Sequence, residues 1–339
     1  MNIVYLIGNG FDLKLEMRTK YEHFYEYYLS YSKESDSPHI KKLKETIAKD
    51  KKNWSDLELA LGNYLSQLKE DEAVLLHRDL VEHLSKYLVS EEEKYIISDE
   101  QSHIFYSYLI NPHLNDRLLP KEINKIERYR NRWSHTAWDI KLITFNYTKS
   151  IERIIGNRNT KGIGSHHNRA EILLSEIEHI HGFADNRLII GVNDISQIAN
   201  DKLNKKTRIT DRYIKSECNS TYGLEHDEKC EQWINNANLI CLFGLSFGDT
   251  DKKWWEIVGK ALERGCKVIL FDYNPDNIFN ENQGPDTKEA KEAIKERFLE
   301  KTNLEDNVKN NVKKDIYVAY NTDMFKLKIE KKEKNNDTN

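Results

Sequence analysis

No stretch of the 339 residues is apolar over the roughly 18 positions that a membrane helix needs. The chain opens directly on a strand-like run, with no room there for a secretory leader, so a cytoplasmic protein without a membrane partner is expected. Charge of one sign is lacking too. Charged residues make up 32% of the chain yet sum to only −4, a solvated surface without the basic field that would select nucleic acid. Cysteine is sparse: Cys218, Cys230, Cys241 and Cys266 are widely spaced with no C-x-x-C pair. That excludes a zinc knuckle or disulfide framework and leaves buried thiols. There is no internal repeat, and the length allows one large domain or two of ordinary size.

What is present is a series of short apolar runs, most of them closing on a polar cluster. Residues 3–7 are unbroken Ile-Val-Tyr-Leu-Ile, as expected of a strand buried on both faces of a parallel sheet. They lead straight into Gly8-Asn9-Gly10-Phe11-Asp12, where two glycines permit a tight turn and close backbone approach. Free N–H groups and a short acidic side chain there would suit a phosphate, although Gly-x-Gly also serves as a plain turn. Further runs cover 141–145, 177–180, 187–191, 239–243, 267–271 and 316–320. If these are parallel strands, one edge of the sheet collects Gly8, Asn146, His181, Gly244, Ser246 and Asn274, and a single site is expected there.

Between the first two runs the pattern is helical. Thr19-x-x-Glu22 and Ser55-x-x-Glu58 read as capping boxes, each followed by apolar residues at helical spacing. Amphipathic stretches follow over about 71–89, 91–110 and 120–138. The expected architecture is α/β: a Rossmann-like, mostly parallel sheet built from 1–18 and 139–325, a large helical insertion over 19–138, and a frayed charged tail over 326–339. Residues 195–235 are polar and aperiodic, read as loop with short helices, while Thr250 to Glu263 predicts a helix ended by Gly265.

Three motifs stand together: Leu6-Ile7-Gly8-Asn9-Gly10-Phe11-Asp12-Leu13, Thr144-Phe145-Asn146-Tyr147-Thr148, and Phe243-Gly244-Leu245-Ser246-Phe247-Gly248-Asp249-Thr250-Asp251. With Trp54-Ser55-Asp56-Leu57-Glu58 and His179-Ile180-His181-Gly182 between them, the set resembles the bacteriophage abortive-infection AbiH family from residue 1 to about 275. More distantly it is similar to the sirtuin-type NAD-binding fold. That second resemblance implies diphosphate contacts at Gly8 and Gly10, with Asn9, Phe11, Asp12, Thr144 and Asp251 around the ligand. It also implies a phosphate or ribose contact at Gly244 and Ser246, and an adenosine ribose near Asn274. Asn146 falls on the asparagine near the nicotinamide ribose, and His181 on the histidine that acts as base. The chain departs from the pattern at Thr148, where an acidic residue is common, and lacks the zinc-binding cysteines of sirtuin deacylases.

The resemblances imply an antiphage effector that binds NAD or a related nucleotide and hydrolyses NAD to ADP-ribose and nicotinamide without a metal. A phage-encoded trigger and self-association are the partners this allows. Two alternatives stay open: a metal-dependent nuclease or nucleotide-processing toxin using Asp12, Glu58 and Asp251, and a non-enzymatic nucleotide sensor. Several residues have plainer explanations. Glu58 could be the capping partner of Ser55, Asp249 and Asp251 could cap a helix, His181 could bond backbone, and Asn146 could close a turn. His166-His167 lacks a spaced third ligand for a metal.

Overall fold

The computed structural model describes residues 1–31, 36–96, 99–114, 117–156, 161–166, 168–223, 225–273 and 284–332. The strands are β1 (Asn2–Ile7), β2 (Tyr95–Ile96), β3 (Trp138–Thr144), β4 (Lys161–Ser165), β5 (Glu171–His179), β6 (Leu239–Phe243), β7 (Lys267–Asp272), β8 (Ile316–Tyr320) and β9 (Glu330–Lys331). Seven of them form one sheet in the order β4-β5-β3-β1-β6-β7-β8, parallel throughout except for β4 against β5. The expected α/β class with a mostly parallel sheet is what the chain forms. Its strands are apolar on both sides because both faces are covered. Ile3, Tyr5 and Ile7 join one core, and Val4 and Leu6 join the other.

The first face is covered by helices Ser102–Ile110 and Pro120–Arg130, through Phe105, Leu109 and Ile126. The second is covered by His226–Asn235, Lys252–Glu263 and Gly284–Glu300, through Trp233, Trp255 and Phe298. A third core lies apart from the sheet. There, helices Tyr21–Ser30, Pro38–Lys49, Leu57–Tyr64 and Glu70–Glu92 close around Leu188, Ile190, Val192, Ile209 and Tyr213. The stretch 19–138 thus feeds two cores, and the helical cap is completed by residues after His181. No helix among the described residues is long and apolar enough to cross a membrane.

Six local expectations are corrected. Residues 187–191 are not a sheet strand; Leu188 and Ile190 are drawn into the cap core, and the adjoining Val192 makes only an isolated bridge to Ile214. Neither capping box forms. Asp56, not Ser55, caps helix Leu57–Tyr64, accepting from the Leu59 N–H, and Thr19 Oγ1 instead donates to Asn9 Oδ1. The stretch 91–110 is broken by β2 before its helix starts at Ser102, and the helix from 120 ends at Arg130, short of β3. The tail is anchored up to residue 332, because Leu327 is buried and β9 pairs with β2.

Candidate functional site at the carboxyl edge of the sheet

Register aligns the strand ends. Ile7 pairs with Thr144 and Phe243, and Thr144 pairs with His179. Gly8, Asn146, His181 and Gly244 therefore leave the sheet at one edge, where chain order reverses about β1. The glycines pack backbone against backbone. Gly8 N–H donates to Phe243 O and Gly10 N–H to Gly244 O, both at 2.9 Å, and a Cβ on Gly10 would lie 2.4 Å from Gly244 Cα. Gly244 has φ +69°, a conformation that glycine adopts without strain. Asn9 binds Thr19, Phe11 packs edge-on to Phe105, Phe243 and Phe325, and Ser246 is exposed.

Behind this loop lies a polar pocket. Asp12 is buried and accepts from Thr148 Oγ1 at 2.7 Å and Ser150 Oγ at 2.6 Å. Burial raises its pKa to about 6, against the pull of those two hydroxyls, His179 and Asn146. Thr144 Oγ1 accepts from the Asn146 N–H. Asn146 is only 5% exposed, yet neither its Nδ2 nor its Oδ1 closes a hydrogen bond with a described residue, although the amide is near enough to favour the Asp12 carboxylate. His179 is fully engaged, Nδ1 with Asn146 O and Nε2 with Glu152.

A second cluster joins cap to sheet. Lys215 Nζ donates to Glu58 Oε2 at 2.7 Å, Asp251 Oδ1 at 2.8 Å and Thr250 O at 3.1 Å. His181 Nε2 lies 3.2 Å from the same Asp251 oxygen, a contact that is not aligned as a hydrogen bond. The Tyr147 hydroxyl donates to Ile189 O at 2.9 Å and sits 3.4 Å from Glu58 Oε1. Burial disfavours all these charges, but the ion pairs more than offset it for two of them. Asp251 is held well below the usual carboxylate range by Lys215 and His181, and Lys215 is held above its ordinary value by Asp251 and Glu58. Glu58 goes the other way, raised by burial and by Asp251 despite Lys215. Beside the cluster a cleft lined by His181, Asn193, Lys215, Asp251, Lys253 and Trp254 encloses about 20 Å³, room for one water.

Of the expected residues, His181 and Asp251 share this cleft. Gly8, Gly10, Asp12, Thr144, Asn146 and Gly244 pack at the neighbouring strand ends, and Asn274 lies outside the described residues. Glu58 is neither a capping partner nor solvent-facing. The three carboxylates proposed for a metal are separately engaged, Asp12 by hydroxyls and the other two by the Lys215 ammonium. No group of three or more His, Cys, Asp or Glu among the described residues is arranged to hold a metal ion. His166 is stacked on Trp138 with Nε2 at Thr136 O, and His167 is outside the described residues. Lys215 was not legible in the sequence; it lies in the aperiodic stretch after His181 and gains meaning only through partners 157 and 36 positions away.

Residues 4–273 match the family model described as bacteriophage abortive infection AbiH. No curated protein matches the chain.

Proposed function

The chain belongs to the bacteriophage abortive infection AbiH family, and from that premise we propose that it serves phage defence by binding NAD at the carboxyl edge of its sheet and hydrolysing it. The observation that carries this reading is the Asn146 carboxamide, buried with neither polar atom closing a hydrogen bond with a described residue. Leaving such a group unsatisfied costs about 1–3 kcal/mol, a cost that makes sense where a ligand supplies the partners. Strand order supports it. Counted along the chain, the six parallel strands stand 3-2-1-4-5-6, as in doubly wound sheets that bind dinucleotides where the order reverses. The sirtuin-like motifs and Rossmann-like class belong to the same reading.

In the reaction, the bond between the ribose C1′ and the nicotinamide nitrogen breaks, and its electron pair leaves with nicotinamide. A water oxygen bonds C1′, and the water's proton passes to His181. Asn146 can donate to and accept from the ribose hydroxyls, placing the sugar as positive charge builds on it. No metal is needed to expel a leaving group that is already neutral once detached. The cleft beside His181 has room for about one water, so NAD binding there would come with movement of the cap away from the sheet edge.

Purified protein incubated with NAD in the presence of a chelator should release nicotinamide, read by chromatography. Release that requires a divalent ion, or cleavage of added nucleic acid in place of NAD, would contradict the proposal. NAD binding without nicotinamide release would make the chain a sensor.

A further inference from the structure

All three donors of the Lys215 ammonium are used, on Glu58 Oε2, Asp251 Oδ1 and Thr250 O. Two of these acceptors belong to one short turn, residues 249–251, so Lys215 fixes both the path of that turn and the side chain it carries. The Asp251 oxygen held by Lys215 is also the one facing His181 Nε2. A lone pair on Nε2 would face a carboxylate oxygen 3.2 Å away, off the hydrogen-bond axis, and be repelled; an N–H there is attracted. The other ring nitrogen, Nδ1, makes no hydrogen bond with the described residues. The ring is steadied by Phe145, edge-on at 5.5 Å, and the backbone by the Ile189 N–H donating to His181 O.

We propose that Lys215 is the positioning residue of this site: by holding Asp251 it sets His181 with its proton on Nε2 and leaves Nδ1 as the atom that accepts a proton. This rests on the reading above that His181 takes the proton of the attacking water, and it names the atom and the residue that prepares it. A buried acid that fixes an imidazole tautomer is worth far more than its contact energy, because the wrong tautomer presents no lone pair to the substrate. Lys215 thereby does two jobs. It offsets the charge of the buried Glu58 and the half-buried Asp251, and it prevents Asp251 from turning toward Glu58 or solvent.

The test is a two-bond nitrogen–proton correlation on the full chain labelled with ¹⁵N-histidine, recorded where the ring is neutral, with His181 assigned by loss of its signal in His181→Ala. The wild type should show a single Nε2–H tautomer for His181. Lys215→Met should lose that single form, and Lys215→Arg, which keeps the charge, should restore it. Should Lys215→Met fail to fold, the charge-balanced Glu58→Gln, Lys215→Met pair takes its place, with the same loss expected. An Nδ1–H tautomer in the wild type would overturn the proposal. So would an unchanged Nε2–H signature in a Lys215-less variant that has merely lost thermal stability, since that is what a simple brace predicts. The readout does not involve NAD. A wild type with the expected tautomer that leaves NAD intact contradicts the substrate assignment and not the role of Lys215.

Discussion

At the scale of single residues, burial takes from Asp12 the acidity of an ordinary aspartate. Its pKa rises from 3.8 to about 6 while it accepts from Thr148 and Ser150. Raised in the folded state, it binds its proton more tightly than in the unfolded chain. Its favourable contribution is therefore complete below pH 4 and lost as pH rises through 6, a swing of about 3 kcal/mol. Asp12→Asn should gain stability relative to the wild type by about that amount across the same window, read by urea denaturation at several pH values. A constant difference at every pH would contradict the assignment. Gly10 shows a different limit of sequence reading. The need for glycine was legible, but the reason seen in the fold is contact with Gly244 backbone, which no local pattern reveals. A Gly10→Val variant would therefore disturb packing first, whatever it did to a ligand.

Among elements, the strands were the most legible because burial on both faces writes them as continuous apolar runs. Residues 316–320 match β8 at both ends. β4 escaped because Lys-Gly-Ile-Gly-Ser carries one apolar side chain and two glycines. The opposite error occurred at 187–191, where a strand-like run is consumed by the cap core. Helix starts were misplaced by one residue, since a capping box read from Ser55 competes with Asp56 beside it. Asp56→Ala should cost about 1 kcal/mol as the Leu59 N–H loses its acceptor, whereas Ser55→Ala should stay within about 0.5 kcal/mol. Thermal melts of the two variants decide; equal losses would return the cap to Ser55.

For the whole molecule, the site was legible as a convergence of strand ends and illegible as a constellation. Parallel strands bring their carboxyl ends to one edge, so Gly8, Asn146, His181 and Gly244 could be placed together from the sequence. The Glu58–Lys215–Asp251 link could not, because it joins the cap, the segment after β5 and the turn after β6 through pairings that have no sequence period. The central claim is that the polar groups left unpaired at this edge are kept for a ligand and its chemistry. Asn146→Ala, His181→Ala and the double variant test it most directly, by NAD turnover measured beside the melting temperature. The Asn146 amide closes no hydrogen bond with the described residues and only favours the nearby Asp12 carboxylate, so Asn146→Ala should melt close to the wild type while turnover is abolished. The double variant should be no worse than either single one, as for groups acting in one step. Full turnover in a folded Asn146→Ala whose melting temperature has dropped by several degrees would show that the amide serves the fold and that the chemistry lies elsewhere.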